Sequence, residues 1–225
     1  MPFSTVEVLR KVPLFAGLPE ADLRAIADLC RERGYPRGSV IVFEDDPGDA
    51  MYIVASGQVK VVLISEDGRE VILSVLGTGD VFGEMSVIDD EPRSAHVIAM
   101  EDSTLIILRR EDFQGRLRQS PDVAIALMRE LSRRLRRADE KIANLVLLDV
   151  NGRVASLLLR MAEEEGGDRI TRRLTHHTIA QMIGSSRETV SRTMRALVDH
   201  GVLEVSRRQI ILRDRHQLML AARRS

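Results

Sequence analysis

The sequence predicts an α+β protein with a β-rich N-terminal half, a long helix, and a small helical domain that ends in a pair of strands. Three observations support this fold class. Between residues 39 and 108, short runs rich in β-branched residues alternate with turn signals, which is typical of a sandwich or barrel. From about residue 121 to residue 149 the apolar spacing is helical without interruption. Beyond residue 151, shorter helical patterns precede two short apolar runs. A chain of 225 residues is long enough for this division into domains.

The N-terminal half divides into a helical part and a strand-forming part. From residue 2 to about residue 32 the apolar residues follow helical spacing, with Leu23 and Ile26 on one face. Glycines and a proline between residues 34 and 38 then interrupt the pattern. The Asp67-Gly68 pair between two apolar runs predicts a hairpin. We predict strands at 40–43, 51–54, 59–64, 71–76 and 104–108.

The long helix carries an apolar stripe whose members are separated alternately by three and four residues. This spacing is the a/d pattern of a two-stranded coiled coil. A core face of a single chain would show the same pattern. We favour a homodimer because the helix is long, has polar flanks and lies between two domains. The stripe consists of Met128, Leu131, Leu135, Ala138, Ile142 and Leu145.

The predicted domains differ in charge. We expect a first domain at 1–119, the dimerisation helix and hinge at 120–150, and a C-terminal domain at 151–225, with Asn151-Gly152 at the hinge. From Asn151 onward, 14 Arg and no Lys stand against 8 acidic residues, a net charge of +6. The first 150 residues carry 19 basic and 26 acidic residues, a net charge of −7. A basic C-terminal domain suggests contact with nucleic acid, although two ordinary charged surfaces would give the same totals.

The segment after Leu174 contains capping residues for two short helices joined by a tight turn. Thr175 is placed to cap the first helix, and Gly184 can take the left-handed conformation that ends it. Ser185 or Ser186 can then cap the second helix. Two short helices joined in this way form a helix-turn-helix, whose second helix enters the major groove of DNA.

The second of these helices carries side chains suited to reading bases. Arg187 and Arg192 can each hydrogen-bond O6 and N7 of guanine, and Glu188 can accept from N4 of cytosine. The alternative is a solvated helix face on which Glu188 pairs with Arg192. The two apolar runs that follow resemble a wing with Arg207 at its tip, placed to reach a phosphate. The predicted DNA-binding residues are Thr175, His176, Ser186, Arg187, Glu188, Thr189, Arg192 and Arg207.

A second motif lies between predicted strands and offers the groups that a cyclic nucleotide needs. It reads Phe82-Gly83-Glu84-Met85-Ser86 and then Pro92-Arg93-Ser94-Ala95. Backbone N–H groups after Gly83 can begin a short helix and bind an anion. Arg93 can clamp a phosphate in bidentate fashion, and Ser94 adds a hydroxyl donor. Glu84 can accept a hydrogen bond from a ribose hydroxyl.

Both motifs resemble those of one known family. The segment from Gly184 to Arg192 resembles the recognition-helix motif of the cyclic-AMP receptor protein and fumarate-nitrate regulator (CRP/FNR) family, and the second motif resembles the phosphate-binding cassette of that family. The resemblance covers nearly the whole chain. It implies an N-terminal cyclic-nucleotide-binding, jelly-roll-like β-roll, a long dimerisation helix and a C-terminal winged helix-turn-helix domain. It also implies a homodimer that binds double-stranded DNA at a palindrome of TGTGA-like half-sites, responds to a cyclic nucleotide and contacts RNA polymerase.

The sequence departs from this family where the base is held. In members that respond to cyclic AMP, two small hydroxyl or amide side chains on the long helix hold adenine across the dimer interface; the matching residues here are Ala138 and Asp139. Ala138 cannot hydrogen-bond a base, and an ionised Asp139 offers only acceptors. Cyclic AMP is the first choice of effector; cyclic GMP, cyclic di-GMP and nucleotide-independent DNA binding are the alternatives. Arg134, one turn earlier, can approach the phosphate side. The predicted effector-site residues are Gly83, Glu84, Met85, Arg93, Ser94, Arg134, Ala138 and Asp139.

The residue content argues against other classes of protein. No nucleophile–base set, metal-ligand spacing or Walker-type loop is present, so we expect neither an enzyme nor a resident metal or cofactor. The single cysteine, Cys30, excludes an intrachain disulfide and an iron–sulfur cluster, and its apolar surroundings indicate a buried structural thiol. Residues 83–86 lack the histidine of haem-based carbon monoxide sensors, and His96 fits a structural role. With no signal-peptide pattern and no apolar run near the ~20 residues of a membrane span, we expect a cytoplasmic protein without membrane contact.

Overall fold

The computed structural model describes residues 4–15, 17–172, 174–206 and 209–223. The chain forms two compact units, one up to Arg134 and one from Leu135 onward. Helix α5 (Pro121–Leu147) begins in the first unit and ends in the second. The helices of the first unit are α1 (Thr5–Lys11), α2 (Glu20–Ala27), α3 (Glu84–Asp89), α4 (Arg110–Gln119) and the beginning of α5.

The first unit is an antiparallel β-roll made of two four-stranded sheets. The strands are β1 (Arg31–Tyr35), β2 (Val40–Val42), β3 (Ala50–Ser56), β4 (Val59–Ile64), β5 (Glu70–Leu76), β6 (Val81–Phe82), β7 (His96–Ala99) and β8 (Ser103–Arg109). One sheet has the order β1-β8-β3-β6 and the other has the order β2-β7-β4-β5.

Alternation along β3 and β8 builds two hydrophobic clusters, because successive side chains of a strand point to opposite faces. Ile53 and Ile106 are paired across the strands and pack in a cluster with side chains from α1, α2, α4 and α5. Val54 and Leu105 are paired next to them and pack in a second cluster with residues of the other sheet. Both β3 and β8 are thereby fixed by fully buried residues.

The five predicted strands are confirmed, but the predicted helical stretch to about residue 32 extends too far. Helix α2 ends at Ala27, and residues from Arg31 onward form β1, which pairs with β8. The first four residues of β1 are exposed at the edge of the sheet, so this strand shows no alternation of apolar side chains in the sequence. The hairpin at Asp67-Gly68 is confirmed, since it joins β4 to β5 and Gly68 has φ 78°.

The second unit contains helices packed on a small sheet of three strands, in the order β10 (Leu203–Val205), β11 (Ile210–Leu212) and β9 (Arg169–Ile170). A single buried cluster connects its elements, with Leu158, Ile179 and Ile170 among its fully buried members. Its elements after α5 are α6 (Val150–Glu164), β9 (Arg169–Ile170), α7 (His176–Ile183), α8 (Arg187–Asp199), β10 (Leu203–Val205), β11 (Ile210–Leu212) and α9 (Arg215–Ala221).

The break between α5 and α6 lies earlier than the hinge that we predict at Asn151-Gly152. The Asp149 side chain caps α6 by accepting from the backbone N–H of Gly152 at 2.8 Å. Asn151 and Gly152 therefore lie in the first turn of α6, and the break is at residues 148 and 149. Gly152 is required by close packing, because a Cβ there would lie 2.8 Å from the carbonyl oxygen of Ala221. None of the helices formed by the described residues has the length and apolar composition needed to cross a membrane.

Candidate effector site and nucleic-acid interface

The effector motif forms a tight turn from β6 into α3. Gly83 stands at the N-terminus of α3 with φ 77° and ψ 4°, a left-handed conformation that favours glycine. A Cβ at this position would lie 2.5 Å from Nη1 of Arg93. Both the backbone conformation and the closeness of the guanidinium therefore require glycine, and the turn brings Glu84 and Arg93 of the predicted site together.

Arg93 is a buried cation held by neutral acceptors. Its side chain is 4% exposed, and Nη1 and Nη2 donate to the carbonyl oxygens of Gly83 at 2.7 Å and of Ala50 at 2.6 Å. The guanidinium also lies 5.8 Å from the ring centroid of Tyr52. The nearest carboxylate oxygen in an ion pair belongs to the exposed Asp49, at 3.8 Å. Burial lowers the pKa of Arg93, as expected for a charge removed from water.

Glu84 is a buried carboxylate with one satisfied oxygen. The residue is 2% exposed, and Oε1 accepts from Nη1 of Arg134 at 2.7 Å. Nη2 of Arg134 donates to the carbonyl of Val81 at 2.6 Å, so Arg134 holds the base of the turn rather than standing free on the phosphate side. The other oxygen, Oε2, is buried and has no partner among the described residues. Burial raises the pKa of Glu84.

The remaining predicted effector residues lie at the surface. Met85 is exposed beside the buried Glu84, and Ser94 is exposed beside the buried Arg93. Ala138 and Asp139 are exposed on the part of α5 that belongs to the second unit. The sequence motif does not reveal the contribution of Ala50, because its role rests on a backbone carbonyl that any residue would present.

The helix-turn-helix has the caps that the sequence predicts. Thr175 caps α7 by accepting from the N–H of Thr178 at 3.0 Å. Gly184 has φ 64° and ψ 54°, and Ser186 caps α8 by accepting from the N–H of Thr189 at 3.1 Å. These contacts fix where each helix begins and therefore which side chains stand in the first turn of α8.

Helix α8 separates an apolar face from a charged face. Val190 and Met194 are buried, whereas Val198, which the pattern also assigns to the inner face, is 39% exposed. The polar side chains Arg187, Glu188, Arg192 and Arg195 are exposed. Nη2 of Arg192 donates to Oγ1 of Thr189 at 3.4 Å, and the described side chains include no ion pair between Glu188 and Arg192. The charged groups of this face therefore point to solvent.

The turn of the motif is held from α5 and α6 by contacts that the sequence does not reveal. Nη1 of Arg153 donates to the carbonyl of Ile183 at 3.0 Å. Leu145 approaches the turn, since its Cδ2 would lie 3.4 Å from a Cβ at Gly184. Asn144 donates to Oγ of Ser156 at 2.9 Å and joins α5 to α6.

Other predicted features of this unit vary in their exposure. Thr175 and His177 are exposed, and His176 is half-buried. Strands β10 and β11 form the antiparallel pair expected of a wing, closed by a bond from the N–H of Ser206 to the carbonyl of Gln209 at 2.9 Å. Arg207 lies outside the described residues, so its phosphate contact stays a prediction.

The predicted dimerisation stripe is mostly uncovered by its own chain. Met128, Leu135 and Ile142 are 58%, 64% and 60% exposed, and Leu145 is 52% exposed. Ala138 is also exposed. Leu131 differs, because it packs against the buried cluster of the first unit. Packing within a single chain therefore explains the apolar side chain of Leu131, but it does not explain the other members of the stripe.

The lone thiol and the metal-ligating side chains add no further site. Burial raises the pKa of Cys30 to about 12, which keeps the thiol protonated and unreactive. Among the residues that the structure describes, no group of His, Cys, Asp and Glu side chains is arranged to hold a metal ion.

Comparison with known proteins gives matches to both parts of the chain. The family model of the cyclic nucleotide-binding domain matches residues 32–120, and that of the Crp-like helix-turn-helix domain matches residues 152–221. The CRP-like cAMP-activated global transcriptional regulator of Mycobacterium tuberculosis is 33% identical over 222 residues, which cover 96% of this chain and 99% of the relative. The cyclic AMP receptor protein of Thermus thermophilus is 38% identical over 202 residues, covering 90% and 93%.

The solved structures agree with this result. FixK2 from Bradyrhizobium japonicum matches with a TM-score of 0.78 and 27% identity, and the match covers 87% of this chain and 98% of that one. The fold class predicted from the sequence, with its β-roll, long helix and C-terminal helix-turn-helix, is confirmed. The chain therefore belongs to the CRP/FNR family of non-enzymatic transcription regulators, with a cyclic nucleotide-binding domain and a Crp-like helix-turn-helix domain.

Proposed function

We propose that this regulator works as a homodimer whose affinity for a palindromic DNA site is set by a cyclic nucleotide bound in the first unit. Two buried charged side chains, Arg93 and Glu84, carry the proposal. Within the part of the chain that the structure describes, the hydrogen bonds of Arg93 engage two of its five N–H donors, and Oε2 of Glu84 is buried without a partner. A buried cation with neutral acceptors favours an anionic ligand, and a buried lone carboxylate oxygen favours a ligand with a hydroxyl donor.

A cyclic nucleotide supplies both groups. Its phosphate can accept from the remaining N–H groups of Arg93 and from the hydroxyl of Ser94. A ribose hydroxyl can donate to Oε2 of Glu84, which satisfies the oxygen that lacks a partner. This arrangement selects phosphate and sugar, and it leaves the choice of base to other residues.

Cyclic AMP is the effector that we favour, because the relatives in Mycobacterium tuberculosis and Thermus thermophilus carry cyclic AMP in their names. The base would meet the helix positions Ala138 and Asp139. The carboxylate of Asp139 can accept from the amino group of adenine, and equally from N1–H and N2–H₂ of guanine. Cyclic GMP and cyclic di-GMP are therefore the alternatives, together with DNA binding that needs no nucleotide.

Calorimetric titration of the purified protein separates these effectors. Cyclic AMP, cyclic GMP and cyclic di-GMP are titrated separately into the parent and into Arg69→Ala, a control whose exposed side chain lies on the hairpin between β4 and β5. We expect saturable binding of cyclic AMP by both proteins. Saturation by one of the other two nucleotides alone would reassign the effector. Heat changes no larger than those of dilution for all three nucleotides would refute the nucleotide site.

The DNA-reading part of the proposal rests on the exposed face of α8. Arg187, Glu188 and Arg192 match the family positions that read a TGTGA half-site, and Ser186 fixes the start of the helix that presents them. A two-fold protein requires two half-sites about one helical turn, or a multiple of it, apart. Footprinting on a library of such palindromes tests this arrangement. Protection that is equal on random DNA would contradict it.

A further inference from the structure

We propose that Arg110, the first residue of α4, is a positioning residue for the effector site. It holds α3 and the loop before β3 in the one arrangement that aligns Glu84 with Arg93. This inference rests on the proposed function, because it concerns the same nucleotide site. Arg110 lies outside the sequence motif, because it follows Arg93 by 17 residues and belongs to α4, whereas the helix of the motif is α3.

The side chain of Arg110 joins α4 to two other segments of chain, the loop before β3 and helix α3. Nε donates to the carbonyl of Gly48 at 2.9 Å, and Nη2 donates to the carbonyl of Ser86 at 3.0 Å. Nη1 pairs with the carboxylate of Asp90, directly after α3. The backbone N–H of Arg110 donates to the carbonyl of Asp49 at 2.8 Å. One planar guanidinium thus connects the loop before β3, the body of α3 and the end of α3.

Helix α3 needs this support because it is short. It has six residues, far fewer than an isolated helix requires for stability. The last carbonyls of a helix have no partner within the helix, and here Arg110 and Gln114 supply donors to two of them. Nε2 of Gln114, one turn further along α4, donates to the carbonyl of Val87 at 2.7 Å. The end of α3 opposite Glu84 is therefore fixed by α4.

The loop that Arg110 holds is in direct contact with the site. A Cβ on Gly48 would lie 2.2 Å from Cβ of Ser86 and 3.2 Å from Cζ of Arg93. A shift of the carbonyl of Gly48 would therefore move the loop against α3 and the guanidinium of Arg93. Since Arg110 bonds to this carbonyl and to that of Ser86, it fixes the separation of the two segments.

The test compares Arg110→Ala with Arg109→Ala in the full-length protein. Arg109 is adjacent, exposed and of the same charge, so it controls for the loss of one cation. The first readout is hydrogen exchange of residues 83–92 in the absence of nucleotide, and the second is the Kd for cyclic AMP well below the Tm. For Arg110→Ala we expect faster exchange at residues 83–92 and in the loop before β3, without a change elsewhere in the β-roll. We also expect a Kd raised about 10- to 100-fold, the effect of losing hydrogen bonds from a charged group. Arg109→Ala should behave as the parent.

Arg110→Lys distinguishes positioning from general support of the fold. Lysine keeps the charge but cannot donate to several acceptors in the geometry of a planar guanidinium, so we expect a Kd between those of the parent and Arg110→Ala. Gln114→Leu leaves Arg110 in place and should raise the Kd for cyclic AMP by a smaller factor. It replaces Arg110→Ala in the test if that variant does not fold. A Kd for Arg110→Ala within twofold of the parent would overturn the proposal. So would faster exchange spread evenly over the β-roll, or a lysine variant that binds as tightly as the parent, because the charge alone would then suffice. If the parent binds none of the three nucleotides, the proposed function fails, and the exchange data alone decide whether Arg110 positions α3.

Discussion

The charged groups of the effector site and those of α8 differ in what surrounds them. Arg93 and Glu84 are 4% and 2% exposed, and each is hydrogen-bonded within the protein. Arg187 and Arg192 are exposed, and among the described groups the one hydrogen bond of their side chains is that of Arg192 to Thr189 at 3.4 Å. The charges of the effector site are removed from water when the protein folds, so the site is ordered before a ligand binds. The charges of α8 stay hydrated until DNA displaces the water around them. Substitutions in the first region should affect ligand and local structure together, and those in the second should affect DNA contacts alone.

The largest effect is expected from substitutions in the exposed apolar stripe, because the stripe determines whether the α8 helices of two chains bind one palindrome together. Replacing Leu135 and Ile142 with Glu puts charges into the proposed two-fold interface. Loss of the second contact should lower the affinity for the palindrome about 10²- to 10⁴-fold, because paired binding depends on effective concentration. Sedimentation should show monomers for this double variant and dimers for Arg136→Glu, an exposed control outside the stripe. A parent that sediments as a monomer at micromolar concentration, with and without DNA, would contradict the dimer.

Arg93→Ala tests the role of the buried charges of the effector site. Removing the guanidinium leaves the carbonyls of Gly83 and Ala50 without its donors and removes the proposed phosphate contact. Nucleotide binding should weaken by at least about 100-fold, as expected for loss of a bidentate, charge-assisted contact. Weak basal DNA binding should remain, because α8 is unaffected. Titration calorimetry measures the first effect and gel shift without nucleotide the second. Nucleotide affinity equal to that of the parent would exclude Arg93 from the site.

Arg187→Ala tests the role of the exposed charges of α8 in DNA recognition. The substitution should cost roughly 1–3 kcal/mol on the specific site and reduce discrimination at one guanine, without changing the Tm of the free protein. Arg195→Ala, on the same helix and also exposed, is the control for loss of charge. Competition binding with specific and random DNA gives both affinities. Equal losses on the two DNAs would show that Arg187 contacts only the backbone.

The smallest expected effect concerns Lys141, on α5 in the second unit. Burial lowers the pKa of Lys141 to about 8, and the cation of Arg160 adds to this effect. The folded protein therefore loses this proton at lower pH than the unfolded chain, so the free energy of unfolding contributed by Lys141 rises between about pH 8 and its ordinary pKa of 10.5. Urea titrations at several pH values should show the parent gaining stability relative to Lys141→Met across this window. Parallel pH profiles would contradict the shifted pKa.

The sequence predicts the local features of both regions and misses the distant ones. Thr175, Gly184 and Ser186 follow from capping rules, because each acts on backbone groups within a few residues. The bond from Arg93 to Ala50 spans 43 residues and ends on a carbonyl, so no side-chain pattern marks it. The missed strand β1 has the same cause, since exposed charged residues become a strand only by pairing with β8. The break between α5 and α6 lies at residues 148 and 149 rather than at Asn151-Gly152, because that pair suggests a turn by its composition, whereas Gly152 is required by the approach of Ala221.

Nucleotide bound in the buried site should change the affinity of the exposed face of α8 for DNA. The direct measurement is the Kd for a TGTGA-like palindrome with and without saturating cyclic AMP, with a scrambled duplex as control. We expect tighter binding to the palindrome with nucleotide and no change on the scrambled duplex. Ala138→Thr with Asp139→Ser should enlarge the response, because it restores hydroxyl donors toward adenine. If cyclic AMP, cyclic GMP and cyclic di-GMP all leave the Kd of the parent unchanged, and the double variant is equally indifferent, the protein binds DNA without a nucleotide switch.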